Sequence, residues 1–286
     1  MSNPQPLSRT WRVLIRVAGF LKWVLRCRIE PSGLRHVPTQ GGAVLAFNHH
    51  SYADFVMLAW TIVVDVRRPI RFVAKREVVD SRWIGWLARA VSVIPVDRGS
   101  NEGREAALER AIEALAQGDL VAIAPEQTIS ASLDLLPFRS GVARMAQRAG
   151  VPILPAVGWG SQRFATYNVP LRPRFGIPVT VDIGEPVVVG ADEDPVAATV
   201  RLEATMAEML DAAQLNYPDG IPQGAAWVPA RLGGSAPPHD EVLAAHRERG
   251  MRGRIAHTDS RPDEDPPVRQ RPGADGAESS FSDETR

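Results

Sequence analysis

From Gly41 onward, short apolar runs alternate with stretches of helical periodicity, and that alternation narrows the fold more than any other feature of the sequence. Runs of strand length fall at 43–47, 70–74, 91–96, 120–124, 152–158 and 178–183. Between them, residues 54–66, 81–90, 102–117, 140–149 and 194–215 space their apolar side chains as helices do. The unbroken stretches 93–96 and 153–157 suit strands covered on both faces. Strand–helix alternation of this kind implies an α/β fold with a largely parallel central sheet flanked by helices. The expected boundaries are a helix in residues 1–29, one domain over 30–217, and a tail over 218–286.

The N-terminal segment has its own pattern. Residues 7–27 read as a helix, with Val13, Leu14, Val17, Ala18, Phe20, Leu21, Val24 and Leu25 on one broad face. Arg9, Arg12, Arg16, Lys22 and Arg26 gather opposite, Trp11 lies at the border, and Ile15 and Trp23 break the pattern. No acidic residue precedes Glu30. A basic face opposite an apolar one suits a helix lying in an anionic membrane interface; the competing arrangement packs it on its own domain. The charges break every apolar run before about 20 residues, so neither a signal peptide nor a spanning helix is expected. The tail beyond Tyr217 is punctuated by Pro and Gly, with one short helix expected at 240–249 and disorder from Met251.

Charge narrows the function classes. With 33 basic and 33 acidic residues, the chain has no excess that would favour nucleic acid. The lone Cys27 excludes an intramolecular disulfide and a thiolate metal cluster.

The densest polar cluster, Asn48-His49-His50-Ser51-Tyr52-Ala53-Asp54, stands where the 43–47 run ends and a helix begins. That is the end of a parallel strand where ligands bind. Four residues between His49 and Asp54 let the carboxylate reach back to one imidazole nitrogen. The other nitrogen is then free to take a proton from a hydroxyl. Three other readings stay open: Asp54 as a helix cap, the two histidines with Asp54 as metal ligands, or a polar turn.

The cluster resembles the first signature of the glycerolipid acyltransferase family, Asn-His, four residues, Asp. Further blocks follow in the family's order: Lys75 ending the 70–74 run, then Val91 to Arg98, then Ala124-Pro125-Glu126-Gln127-Thr128-Ile129-Ser130. Pro137-Phe138-Arg139-Ser140-Gly141 and Val151-Pro152-Ile153-Leu154-Pro155-Ala156-Val157 complete the set. The resemblance covers roughly residues 30–215. It implies an O-acyltransferase of phospholipid biosynthesis, 1-acylglycerol-3-phosphate acyltransferase-like. His49 would be the general base oriented by Asp54, with direct attack of an acceptor hydroxyl on a thioester. It implies Lys75 and Arg98 as holders of the acceptor's phosphate, with Glu126, Gln127 and Thr128 at the binding site. It implies no metal and no cofactor, with acyl-CoA or acyl carrier protein as co-substrate. The chain has no Gly-x-Ser-x-Gly elbow, which agrees with direct transfer.

One departure bears on the acceptor. Where the family's third block has Gly and then Arg, this chain has Gln127 and Ile129. Losing a charged phosphate contact costs roughly 1.5–3 kcal/mol. Either Lys75, Arg98 or Arg139 compensates, or the acceptor is another lysolipid, a lipo-amino acid or a glycolipid. A hydrolase and a non-catalytic lipid-binding relative are the rivals in function. The expected partners are an anionic membrane surface, a lysophospholipid acceptor and the thioester donor, with no nucleic acid. The expected location is peripheral, at the cytoplasmic face of a membrane.

Overall fold

A computed structural model of the chain describes residues 9–166 and 173–258. Its centre is a seven-stranded sheet ordered β1-β7-β6-β2-β5-β3-β4. The strands are β1 Arg28–Ser32, β2 Ala43–Phe47, β3 Ile70–Lys75, β4 Ile94–Val96, β5 Leu120–Ile123, β6 Ile153–Trp159 and β7 Pro178–Ile183. Of the strand pairs, β6–β7 is antiparallel and the others are parallel. The largely parallel α/β sheet expected from the alternation is therefore present.

Alternate residues of the central strands feed two cores, because successive side chains of a strand point to opposite faces. Val44 and Ala46 of β2, Val121 of β5 and Ile153 and Val157 of β6 join one cluster, under helices α5 Asn101–Ala116, α6 Gly141–Ala149 and α7 Pro195–Leu215. Ala43, Leu45 and Phe47, with Leu120, Ala122, Leu154 and Ala156, join the other. Helices α1 Arg9–Val24 and α2 Asp54–Trp60 cover that second face, and α2 continues into a π-helical turn, Thr61–Val66. Local sequence starts these helices. The Ser100 hydroxyl accepts the Gly103 N–H ahead of α5, and Asp194 accepts the Val196 N–H ahead of α7, where Pro195 fills the first position.

Four expectations need correction. The run at 91–96 is a strand only over Ile94–Val96, and it lies at the sheet's edge with Ile94 alone buried, not covered on both faces. The helix expected at 81–90 forms only over α4, Gly85–Ala90, and a further short helix, α3 Arg76–Asp80, precedes it directly after β3. The strand β1 is additional.

The fourth concerns the tail. Between α7 and the last helix, α8 His239–Thr258, the chain is irregular but packed, with Val228 and Ala236 buried. Arg231 pins it through Asp134 and Asp211, both at 2.6 Å, and Trp227 stacks edge-on to Tyr217. Pro and Gly forbid regular elements without forbidding burial. Residues 248–286 form a separate unit, described only as far as the end of α8. Helix α8 runs well past the short helix expected at 240–249, so over residues 251–258 a helix stands where disorder was expected from Met251; the rest of that stretch, and the start of the N-terminal helix at Leu7, lie outside the described residues.

Helix α1 divides its circumference in three. Trp11 and Ile15 pack against the second core, and Lys22 sits 5.6 Å above the Trp60 ring. Val13, Val17, Phe20, Leu21 and Val24 are exposed. Arg9, Arg12 and Arg16 are exposed beside them. The broad apolar face read from the sequence is thus rotated: Ile15, outside it, turns inward, and most of the face itself is open.

Candidate active site

The site grows from the carboxyl end of β2. Asn48, just past the strand, locks the turn to β6: its Nδ2 donates to the Gly158 carbonyl at 3.0 Å, and its Oδ1 accepts the Gly158 N–H at 2.7 Å. The chain then turns sharply, so that Asp54, in the first turn of α2, faces back on residues 49–51. Its Oδ2 accepts the His50 and Ser51 backbone N–H groups, each at 2.8 Å, and meets His49 Nδ1 at 3.1 Å. Its Oδ1 accepts the Ser161 hydroxyl. Asp54 is 6% exposed, and each of its oxygens has at least one protein donor.

That arrangement bears on the open readings. Asp54 does not cap α2; its acceptors are spent on the turn before the helix. Among the described residues, no group of three or more His, Cys, Asp or Glu side chains is placed to hold a metal. The His49 ring stands edge-on to Phe55 at 5.1 Å, which fixes its plane. With Nδ1–H donating to Asp54, Nε2 carries the lone pair that can accept a proton.

The second histidine has a different place. His50 is fully buried, Asn48 Nδ2 approaches its Nδ1 at 3.1 Å, and its ring packs edge-on against Trp159. Burial pulls its imidazole down to about 4, against the charge of Asp54. It is a neutral core side chain.

Glu126, buried just past β5, ties the loops together. One oxygen accepts the His49 N–H and the other the Leu136 N–H, both at 2.8 Å. Burial pushes its carboxyl up to about 8, opposed by those two amides. The Ser130 N–H closes the ring onto the His49 carbonyl at 2.9 Å.

The remaining expected residues form a looser arc. Lys75 is exposed at the end of β3, on the same sheet edge as His49 because β2 and β3 both run parallel to β5. Arg98 follows β4 and donates to the Gln127 carbonyl, so part of its fork is committed to the backbone. Burial pulls its guanidinium below the usual value, Glu77 opposing. Gln127 and Thr128 are half-buried in that loop, and Gln127 holds φ at +61°. A left-handed conformation costs a side chain about 1–2 kcal/mol, so glycine fits that position better.

Sequence reasoning missed Ser161. It sits 107 residues from Asp54, in the short turn Ser161–Arg163 that leaves β6. Its carbonyl and that of Ala165 also accept from the Ser51 hydroxyl, at 3.0 and 2.6 Å. The available signal was the glycine pair Gly158 and Gly160 ending a buried strand, which marks a turn at the same sheet edge.

Known proteins resemble this chain in sequence and in fold. The acyltransferase family model matches residues 28–159. A 1-acyl-sn-glycerol-3-phosphate acyltransferase of Bacillus subtilis is 28% identical over 145 residues, covering 50% of this chain and 69% of that protein. One from Limnanthes alba is 26% identical over 173 residues, 58% of this chain and 59% of the relative, so the match leaves out about two fifths of that plant protein. The crystal structure of the 1-acyl-sn-glycerophosphate acyltransferase from Thermotoga maritima shares the fold. It has a TM-score of 0.59 and 22% identity, over 72% of this chain and 80% of that one. Residues 28–159 of this chain are thus similar to the acyltransferase family, and the relatives that carry the likeness are 1-acyl-sn-glycerol-3-phosphate acyltransferases.

Proposed function

We propose that this chain moves a fatty acyl group from a thioester, acyl-CoA or acyl carrier protein, onto the hydroxyl of a lysophosphatidic-acid-like acceptor. The observation that carries the reading is the His49–Asp54 contact at 3.1 Å with Nε2 left for substrate. His49 Nε2 takes the acceptor's hydroxyl proton as the oxygen attacks the thioester carbonyl. The tetrahedral intermediate collapses, the carbon–sulfur bond breaks, and the imidazolium returns the proton to the leaving thiolate. Asp54 stabilises the imidazolium that forms between the two steps. Lys75 and Arg98 supply positive charge for the acceptor's phosphate, and Glu126, Gln127 and Thr128 shape the loop they face.

The acceptor is an amphiphile, so the enzyme meets it at a bilayer surface. Helix α1 supports that reading, because six large apolar side chains, Trp23 among them, stand open on the helix that carries exposed Arg9, Arg12 and Arg16. Among the described residues no helix is long and apolar enough to cross a membrane, and α1 would lie in the interface. A second reading is favoured by Gln127 and Ile129: the same chemistry on an acceptor that is not a simple phosphomonoester, such as another lysolipid, a lipo-amino acid or a glycolipid.

Free-thiol release from an acyl thioester, with and without a panel of lysolipids, tests the proposal. Release that depends on lysophosphatidic acid is expected. Release without any acceptor would make the chain a hydrolase, and no release at all would make it a lipid-binding relative.

A further inference from the structure

Three large apolar side chains stand in the open within four residues after β3: Trp83 is 75% exposed, Ile84 50% and Trp86 60%. Leaving them there is unfavourable, yet the segment is held rigidly in that state. The Ser81 hydroxyl accepts the Trp83 N–H at 3.3 Å, and Trp86 Nε1 donates to the Trp83 carbonyl at 3.1 Å. Arg89 clamps α4 to α3 through the Val79 carbonyl at 2.6 Å. A Cβ on Gly85 would meet that same carbonyl at 2.3 Å, so the close approach requires glycine. Buried Ala88 roots the knuckle in the domain.

Its surroundings indicate what it meets. Lys75, Arg76, Arg82 and Arg89 are exposed around it, against the carboxylates of Glu77 and Asp80. The Arg82 guanidinium rides 5.1 Å from the Trp83 ring. Tryptophan beside exposed cations suits the headgroup level of an anionic bilayer, where an apolar ring body and a polar N–H are both satisfied. The excursion begins at Lys75, on the sheet edge that carries His49.

We propose that Trp83, Ile84 and Trp86 form a second membrane contact, separate from α1, that seats the edge bearing the active site on an anionic bilayer. The proposal rests on the reading that the acceptor is a bilayer amphiphile. An acidic carrier protein is the other occupant that the same chemistry would suit.

The test uses the full chain, vesicles of phosphatidylcholine with and without phosphatidylglycerol, and a W83S/I84S/W86S variant. Partitioning onto the anionic vesicles should fall about tenfold or more, with the melting temperature kept. In the wild-type protein, hydrogen exchange of the amides at 82–87 should slow when anionic vesicles are added, a measurement that stands even if the variant fails to fold. Unslowed exchange would overturn the proposal, as would unchanged partitioning by a folded variant. Slowing by acyl carrier protein instead of vesicles would assign the knuckle to that partner and also overturn it. Turnover of a short-chain soluble thioester and acceptor, run alongside, separates a failure of this contact from a failure of the proposed reaction.

Discussion

The corner around Asp54 and the arc around Gln127 sit on one sheet edge and are built in opposite ways. At the corner, both Asp54 oxygens and both Glu126 oxygens are consumed by named donors from residues 49–51, 136 and 161. On the arc, Lys75 is exposed, Gln127 sits strained at φ +61°, and Arg98 spends a donor on a backbone carbonyl. Proton transfer needs geometry held to a fraction of an ångström, and buried networks supply that. Recognition of an acceptor headgroup tolerates, and can exploit, looser parts. The contrast implies that changes at the corner act on turnover, whereas changes on the arc act on the choice of acceptor.

The largest effect is expected from Asp54→Asn. An amide at Oδ2 would face the two backbone N–H groups with a donor and favour the wrong imidazole tautomer. Turnover should fall about 10²–10⁴-fold with little change in the Michaelis constant for the acceptor. A variant within a few-fold of wild type in kcat would place Asp54 with the merely structural residues.

Stability against pH probes the buried walls of the corner. His50 is held at about 4 in the fold, against an ordinary value of about 6.5. Its contribution is complete above about 6.5 and is lost as pH falls toward 4, at most about 3 kcal/mol. Glu126, held up at about 8, acts in the opposite sense. Its contribution is present below about 4.5 and is lost as pH rises toward 8. Between those limits the two slopes oppose each other, so the melting temperature should change little from pH 4.5 to 6.5. His50→Gln should leave a curve that falls with rising pH over that window. Melts of the two proteins that ran parallel would remove His50 from the response.

A smaller loss is expected from Ser161→Ala. Asp54 would keep its three contacts through Oδ2 and lose the one on Oδ1. Without that anchor Asp54 holds the His49 ring less firmly, so kcat should drop about tenfold, while the freed charge favours the imidazolium. The acid limb of the pH–rate profile should move to higher pH, with the acceptor's Michaelis constant unchanged. A drop in kcat with no movement of that limb would mean that Ser161 only supports the turn.

Ile129→Arg gives the smallest effect and bears on the arc alone. With a phosphomonoester acceptor it should leave activity equal or raise it a few-fold; with a neutral or bulkier acceptor it should lower it. Equal loss with every acceptor of a lysolipid panel would mean that the new charge disturbs the loop.

How far the sequence foretold this depended on burial. Strands β2 and β7 were legible to the residue, since β2 is buried throughout and β7 nearly so. Strand β1, Arg-Ile-Glu-Pro-Ser, has one neighbour, no buried residue and a proline, so it carries no apolar signal. His49 and Asp54 could be paired because they lie five apart. Ser161 could not, because tertiary folding alone brings it to Asp54. The packed stretch 218–238 was hidden because its anchors are a few side chains, Trp227, Val228 and Arg231, set among turn residues.

The most direct measurement is acceptor-dependent thiol release by His49→Ala beside wild type, with thermal melts of both. The His49 ring sits at the margin of the second core, edge-on to Phe47 and Phe55, so the variant should still melt cooperatively, with at most a modest drop in melting temperature, while release falls about 100-fold or more. Release above about a tenth of the wild-type rate by a folded His49→Ala protein would contradict general-base catalysis by this residue.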